Sequence, residues 1–355
     1  MPEYRHNLIT NRWVIIASRR SSRPRSFAHS SQNKLTDFDP ECPFCPGNEK
    51  MTPPETFALR DGNSGADTNG WSLRVVPNKF PFLDFGNNAN DGNNRNNRNN
   101  KNNEKGKNGE MISKNVFDGR QADGMHEVLI ESPRHDVHFA QHNFDHACVI
   151  LRALRNRYRC LAEDGHIKHI SIFCNHGLSS GASLAHPHFQ IAAGSVVPPR
   201  LAGQIACCRQ YLATHGRSVF ETTLENELGV GERLIARNDN FLAFCPAASM
   251  CAYEVYILPR FAQAQFGSLE DKQIPDLTEI LQRILARLDE GQGNTDYNLV
   301  FHTAATDTDE SEKAFCWYIQ IFPHVSVPGG YELATDIYIN TTAPATAAAF
   351  YRDES

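Results

Sequence analysis

Hydrophobic and polar positions alternate in two long blocks that resemble each other. In the first block a β-rich stretch, "HEVLIESPRH" (126–135), precedes "FDHACVILRALRNRYRCLAED", where apolar residues recur at helical spacing. Asp145 is the expected N-cap of that helix. A strand-like "HISIFCNHG" and then "SLAHPHFQIAA" follow. The second block starts with "YEVYILPRFA" (253–262) and continues into the amphipathic "LEDKQIPDLTEILQRILARLDEG", with Ser268 as N-cap and Gly291 as stop. It ends with "NLVFHTAA" and "WYIQIFPH". Glu127 and Glu254 are 127 residues apart, and so are Asn175 and His302. That shared offset predicts an internal duplication. Each unit reads as strands, one long helix, then strands. Short loops between consecutive strands predict an α+β fold, with mostly antiparallel sheets and helices packed on them. The expected halves are residues 1–200 and 201–355. Between the strands, residues 86–109 ("GNNANDGNNRNNRNNKNNEKGKNG") lack any large apolar side chain and read as a disordered surface insertion.

Composition narrows the class. A chain of 355 residues, 40% hydrophobic, can bury a sizeable core. Its net charge of -6, with both signs mixed, gives no reason to expect a nucleic-acid partner. No run approaches the roughly 20 apolar residues of a membrane span, and "MPEYRHNLITNRW" lacks the apolar centre of a signal peptide. Ten cysteines without such a signal point to the cytoplasm, where thiols stay reduced or bind metal. Cys174 and Cys245 lie in apolar runs and read as core residues.

Two stretches carry candidate chemistry. In "GASLAHPHFQ", Gly181 allows close approach of the backbone to a ligand and Ser183 offers a hydroxyl to a phosphate oxygen. If a regular strand follows, His186, His188 and Gln190 share one face. An imidazole beside an amide donor can attack phosphorus and hold its oxygens. In "ECPFCPGNE", Cys42 and Cys45 have the spacing of a metal knuckle, with a redox pair as the rival reading. Any further ligands must come from elsewhere, with His135 and His186 best placed.

Taken in order, "CPFC", "ESPRH", "NHGLSSGASLAHPHFQ" and "GGYE" resemble the galactose-1-phosphate uridylyltransferase family, the transferase branch of the histidine-triad superfamily. The likeness runs from "NLITNRWVIIASRRSSRPR" to "GGYELA". It implies a duplicated histidine-triad-like fold whose second half lacks the catalytic motif, since "WYIQI" stands there in place of "HPHFQ". It implies that His188 is the nucleophile taking a nucleotidyl group, that Gln190 holds the phosphoryl oxygens, and that Cys42, Cys45, His135 and His186 bind a structural Zn²⁺. It further implies nucleotide contacts from Asn78, Phe80, Asn175 and Ser183, hexose-phosphate contacts from Tyr331 and Glu332, and a homodimer in which Arg20 and Arg23 reach the nucleotide across the interface.

Departures qualify the substrate. Tyr318 and Gln320 stand where some relatives have a His-x-His metal pair, so no second metal is expected. Lys79 replaces an acidic residue, Ser326 and Val327 replace a lysine and an aromatic, and Tyr338 replaces a glutamine. These changes resemble a sub-branch of ADP-glucose phosphorylases, whereas Pro187 between the histidines follows the uridylyltransferase form. The expected enzyme is a UDP-glucose–hexose-1-phosphate uridylyltransferase working through a nucleotidyl-histidine. The alternatives are an ADP-glucose or dinucleotide phosphorylase of the same superfamily, and a non-catalytic nucleotide-binding protein.

Overall fold

The computed structural model describes residues 1–22, 35–60, 62–85, 121–292, 295–309 and 313–353. Arg23 and the asparagine-rich insertion at 86–109 lie outside the described residues. The first half contains strands β1 (Glu3–Asn7), β2 (Arg12–Ile16), β3 (Phe57–Arg60), β4 (Trp71–Pro77) and β5 (Gly124–Ile130). Helix α1 (Phe144–Ala162) and strands β6 (His169–His176) and β7 (His188–Gly194) complete it. Helices α2 (Pro199–His215) and α3 (Val219–Val230) lead to β8 (Leu234–Arg237), β9 (Phe241–Phe244) and β10 (Val255–Pro259). Then come α4 (Ile274–Gln292), β11 (Tyr297–His302), β12 (Tyr318–Pro323), α5 (Gly330–Thr335), β13 (Tyr338–Asn340) and α6 (Pro344–Tyr351).

Ten strands form one sheet in the order β3-β4-β5-β7-β6-β11-β12-β10-β9-β8, and its described pairings are antiparallel. The order reads as two five-stranded units meeting at β6 and β11. On those strands Phe173 pairs with Val300, the residue 127 positions later, which puts an approximate two-fold axis through that pair. Asn175 and His302 are therefore equivalent. The second expected pair is displaced by one residue. Val128 pairs with Gln190 as Tyr256 pairs with Gln320, so Glu254 corresponds to His126 and not to Glu127. A one-residue slip reverses the face on which a strand side chain lies. Glu127 accordingly points at the helix layer and is held by Arg157.

The helix layer is built by spacing. Ala147, Leu151, Leu154, Tyr158 and Leu161 of α1 and Leu277, Leu281, Ile284 and Leu288 of α4 are buried together, with Phe189, Ile191, Ile319 and Ile321 of the sheet beneath them. Asn143, not Asp145, caps α1: its Oδ1 accepts from the His146 N–H at 2.9 Å. Helix α4 starts at Ile274 and not after Ser268, because short 3₁₀ turns occupy 266–268 and 271–273. Pro275 then fits the first turn, where its missing N–H costs nothing. Gly291 lies inside the final turn instead of ending it.

The opposite face is treated differently in the two halves. In the second half, Leu201, Ile205 and Cys208 of α2 with Val219 and Phe220 of α3 cover Leu242, Phe244, Tyr256, Leu258 and Tyr318. In the first half the "CPFC" segment covers only part of it, packing Cys42, Phe44 and Cys45 on Val76, Val128 and Ile130. Strands β1, β2 and β13 form a separate three-stranded sheet, with β13 parallel to β2. All ten cysteines are free thiols. Among the described residues no helix is long and apolar enough to cross a membrane.

Candidate active site

Strand β7 sits between β5 and β6, so its polar face is flanked on both sides. Phe189 and Ile191 point into the helix-side core, which forces His188 and Gln190 to the other face. His188 is 7% exposed. Its Nδ1 lies 2.7 Å from the His186 carbonyl oxygen. A carbonyl only accepts, so Nδ1 carries the proton and Nε2 keeps its lone pair. The Phe44 ring stands edge-on to the imidazole, 5.3 Å between centroids. Burial pushes the His188 pKa below the usual histidine value, against the hydrogen bond to His186 and the Glu131 carboxylate, which push upward.

His186 lies two residues earlier and points away into a second cluster. Among the described residues, Cys42, Cys45, His135 and His186 are the one group of three or more potential ligands gathered together, all four buried and with ligand atoms within 4.8 Å of one another. His186 Nδ1 is 3.8 Å from Cys42 Sγ and 3.7 Å from Cys45 Sγ, and His135 Nδ1 is 3.5 Å from Cys45 Sγ. Tetrahedral bonds of roughly 2.3 Å to sulfur and 2.0–2.1 Å to nitrogen require an S–N edge of about 3.6 Å, so these spacings fit a four-ligand metal site. The surroundings fit as well. Backbone N–H groups of Phe44 and Asp39 donate to the Cys42 and Cys45 sulfurs. The Ser132 carbonyl takes the proton on His186 Nε2 at 2.9 Å, which turns Nδ1 toward the sulfurs. Without a cation, burial pushes the Cys42 thiol up to about 11. This set could hold a metal ion.

The other expected residues are distributed unevenly. Asn175 is one step beyond the Cys174–Phe189 pair, on the face of His188, and its Oδ1 accepts from Asn298 Nδ2 at 2.8 Å. Gly181 has φ +86°, a left-handed conformation that suits glycine, and ends the 3₁₀ turn Leu178–Ser180. Ser183 is exposed in the loop that leads to β7. Asn78 approaches the site through His126, and Phe80 is 82% exposed beside it. Tyr331 and Glu332 lie on α5 next to the small sheet and share no hydrogen bond or ring contact with His188 or Gln190. Arg20 lines a cleft of about 690 Å³ with Met1, Glu3, Ile15 and Ile339, and none of the histidine-motif residues belongs to it. At the place where a second metal was not expected, Tyr318 accepts from Gln204 Nε2 at 3.2 Å, and Gln320 bonds both His302 and Glu254.

Sequence reasoning missed His126. Its Nε2 is 2.9 Å from Gln190 Oε1. Strict alternation from Val128, which pairs with Gln190, would have put His126 on the working face.

A family model described as galactose-1-phosphate uridyl transferase, N-terminal domain, matches residues 1–198. The chain belongs to this family. Its members include nucleotidyltransferases, and the chain is an enzyme of that kind. It is 30% identical to an ADP-glucose phosphorylase of Arabidopsis thaliana over 359 aligned residues, covering 100% of this chain and 93% of the relative. It is 24% identical to a galactose-1-phosphate uridylyltransferase of Haemophilus influenzae, covering 88% and 81%. The crystal structure of an Arabidopsis ADP-glucose phosphorylase with bound ADP-glucose superposes with a TM-score of 0.79 at 28% identity, covering 100% of this chain and 99% of that one. A uridylyltransferase structure superposes at 0.70 with 23% identity, covering 100% and 98%, which speaks for the fold.

Proposed function

We propose that the protein cleaves a nucleoside diphosphate hexose by two displacements at the α-phosphorus, with His188 as the nucleophile. The observation that carries this reading is the hydrogen bond from His188 Nδ1 to the His186 carbonyl. It leaves Nε2 unprotonated and aimed from a buried strand position. Nε2 forms a bond to the α-phosphorus as the bond to the bridging oxygen breaks, and hexose 1-phosphate departs with that oxygen. An acceptor oxygen then attacks the same phosphorus, and the P–N bond returns its electron pair to His188. Gln190 supplies N–H donors to the oxygens that gain charge in both steps.

The donor we favour is ADP-glucose with orthophosphate as acceptor, releasing ADP. The relatives at 30% and 28% identity support this over the uridylyl reading. Lys79, Ser326, Val327 and Tyr338 support it from the sequence. The second reading, UDP-glucose with galactose 1-phosphate, is favoured by Pro187. The metal at Cys42, Cys45, His135 and His186 is zinc in this account, closed by four protein ligands and structural. It would tie the "CPFC" segment to the loop that delivers His188. Residues 1–200 carry the chemistry, residues 201–355 supply the second fold unit, and two chains pair so that Arg20 and Arg23 reach the neighbouring nucleotide. A substrate panel tests the donor: ADP-glucose and UDP-glucose, each against orthophosphate and galactose 1-phosphate. ADP release from ADP-glucose and phosphate should exceed every other combination. UDP-galactose formation as the fastest reaction would transfer the assignment to the second reading.

A further inference from the structure

We infer that His126 is a positioning residue that fixes which end of the Gln190 side-chain amide faces the reacting phosphate. This rests on the nucleophilic role of His188 proposed above. A glutamine amide has two ends of nearly equal shape, and only the –NH₂ end can hold an oxyanion. Something must therefore set its orientation.

His126 is buried on β5, on the same face as Gln190 and diagonal to it. The Phe82 ring lies against its imidazole, 4.2 Å between centroids. Nε2 is 2.9 Å from Gln190 Oε1, while the buried Nδ1 has no hydrogen-bond partner. A buried N–H without a partner costs more than a bare ring nitrogen, so the proton belongs on Nε2. There it donates to the Gln190 carbonyl oxygen, and both amide hydrogens of Gln190 are left for the site. The Asn78 amide is set independently, because its Oδ1 accepts from the Phe80 N–H at 2.9 Å. Its nitrogen, 3.3 Å from His126 Nε2, is itself a donor, so with the proton on Nε2 the two make no hydrogen bond and the shorter contact to Gln190 Oε1 is the bond His126 makes.

The second half of the molecule contains the opposite arrangement. Gln320 stands where Gln190 does and Glu254 stands where His126 does. There the Gln320 –NH₂ group donates to the Glu254 carboxylate, and its Oε1 meets His302 Nε2 at 2.8 Å. A carboxylate accepts the amide hydrogens; a ring N–H accepts nothing and takes the carbonyl. The residue at this strand position thus decides which end of the glutamine it holds. The half with histidine is the half whose glutamine face is left uncovered by α2 and α3.

Three substitutions test this. His126→Gln keeps a donor within reach of Gln190 and should retain most turnover. His126→Ala removes the donor and should lower kcat roughly tenfold to a hundredfold, as small misplacements in an active site do, with KM little changed. His126→Glu should invert the amide and be the slowest of the three. Each is repeated in a Gln190→Ala background, where the three must become equal, because there is no amide left to orient. Equal losses with and without Gln190, or His126→Glu as active as His126→Gln, would overturn the inference. If His126→Ala fails to fold by circular dichroism, the Gln–Glu pair alone carries the same comparison. A fully active His188→Ala would refute the underlying mechanism instead, and the two failures are separable.

Discussion

Replacing Cys42 by serine should strip the metal and lower the melting temperature by a calculable amount. Cys42 is buried, its sulfur is 3.8 Å from His186 Nδ1, and the Phe44 N–H donates to it. A hydroxyl is a poor substitute for thiolate toward zinc. A metal present at about 1,000 times its dissociation constant stabilises the folded chain by roughly 4 kcal/mol. An unfolding entropy of about 2.1 cal/mol/K per residue over 355 residues amounts to ~0.75 kcal/mol/K. Loss of the site should then shift the midpoint by about 5 °C, more if the first half melts separately. Cys160→Ser is the control, because that thiol is exposed and outside the cluster. The assay is metal content by mass spectrometry alongside calorimetry, with and without a chelator. Wild-type protein free of zinc, a chelator-insensitive midpoint, or a Cys42–Cys45 disulfide would refute the reasoning.

Other outcomes follow from buried polar groups. His186→Ala should lose zinc and thermal stability before activity is considered, whereas His188→Ala should keep both, since His188 is not a ligand; similar zinc loss in both would contradict the division of labour. Arg74 is 1% exposed and bridges Glu55, Asp67 and Thr52. Arg74→Met should therefore cost about 2 kcal/mol by removing one of the two arginines that hold Glu55. Burial pushes Glu55 up, but Arg60 and Arg74 overcome it and hold the carboxyl below its ordinary range. The stability this provides is present above the unfolded-state value and fades as pH falls, so the cost of Arg74→Met should shrink in acid; a cost independent of pH would contradict it. Glu254 has the opposite sign: burial raises it from 4.5 to about 7. Its folded form keeps a proton that the unfolded chain releases, so stability should fall by about 3 kcal/mol between pH 4.5 and 7 and then level off. Glu254→Gln should flatten that slope in urea titrations, and an unchanged slope would remove Glu254 as its source.

Local pattern carried much of the site and less of the topology. Cys42 and Cys45 are three residues apart, and their spacing alone suggested a metal. His135 and His186 are supplied by distant segments; the residues alone made them the best-placed candidates, and the family resemblance assigned them as ligands. The duplication was legible at Asn175 and His302 because β6 and β11 pair across the molecular two-fold. It was misaligned at Glu127 because a one-residue difference between β5 and β10 leaves hydrophobic alternation superficially intact. The same slip hid His126, whose role depends on the face it occupies. Nothing local indicated that β6 would pair with β11 to make one ten-stranded sheet, or that β13 would join β2 from the far end of the chain. Those are pairings between segments far apart in the chain, which local periodicity does not encode. The start of α4 was misplaced because capping signals at Ser268 and Glu270 compete, and Pro275 settles the first turn.

The most direct measurement is the covalent intermediate. The enzyme is mixed with ADP-glucose labelled at the α-phosphate, without phosphate, then quenched and mapped by peptide mass spectrometry. The account predicts close to one label per active site, acid-labile, located on His188, released as labelled ADP when phosphate is added, and absent from His188→Ala. UDP-glucose carrying the same label should load more slowly. Turnover without any protein-bound label, or undiminished turnover in a folded, zinc-loaded His188→Ala, would contradict it.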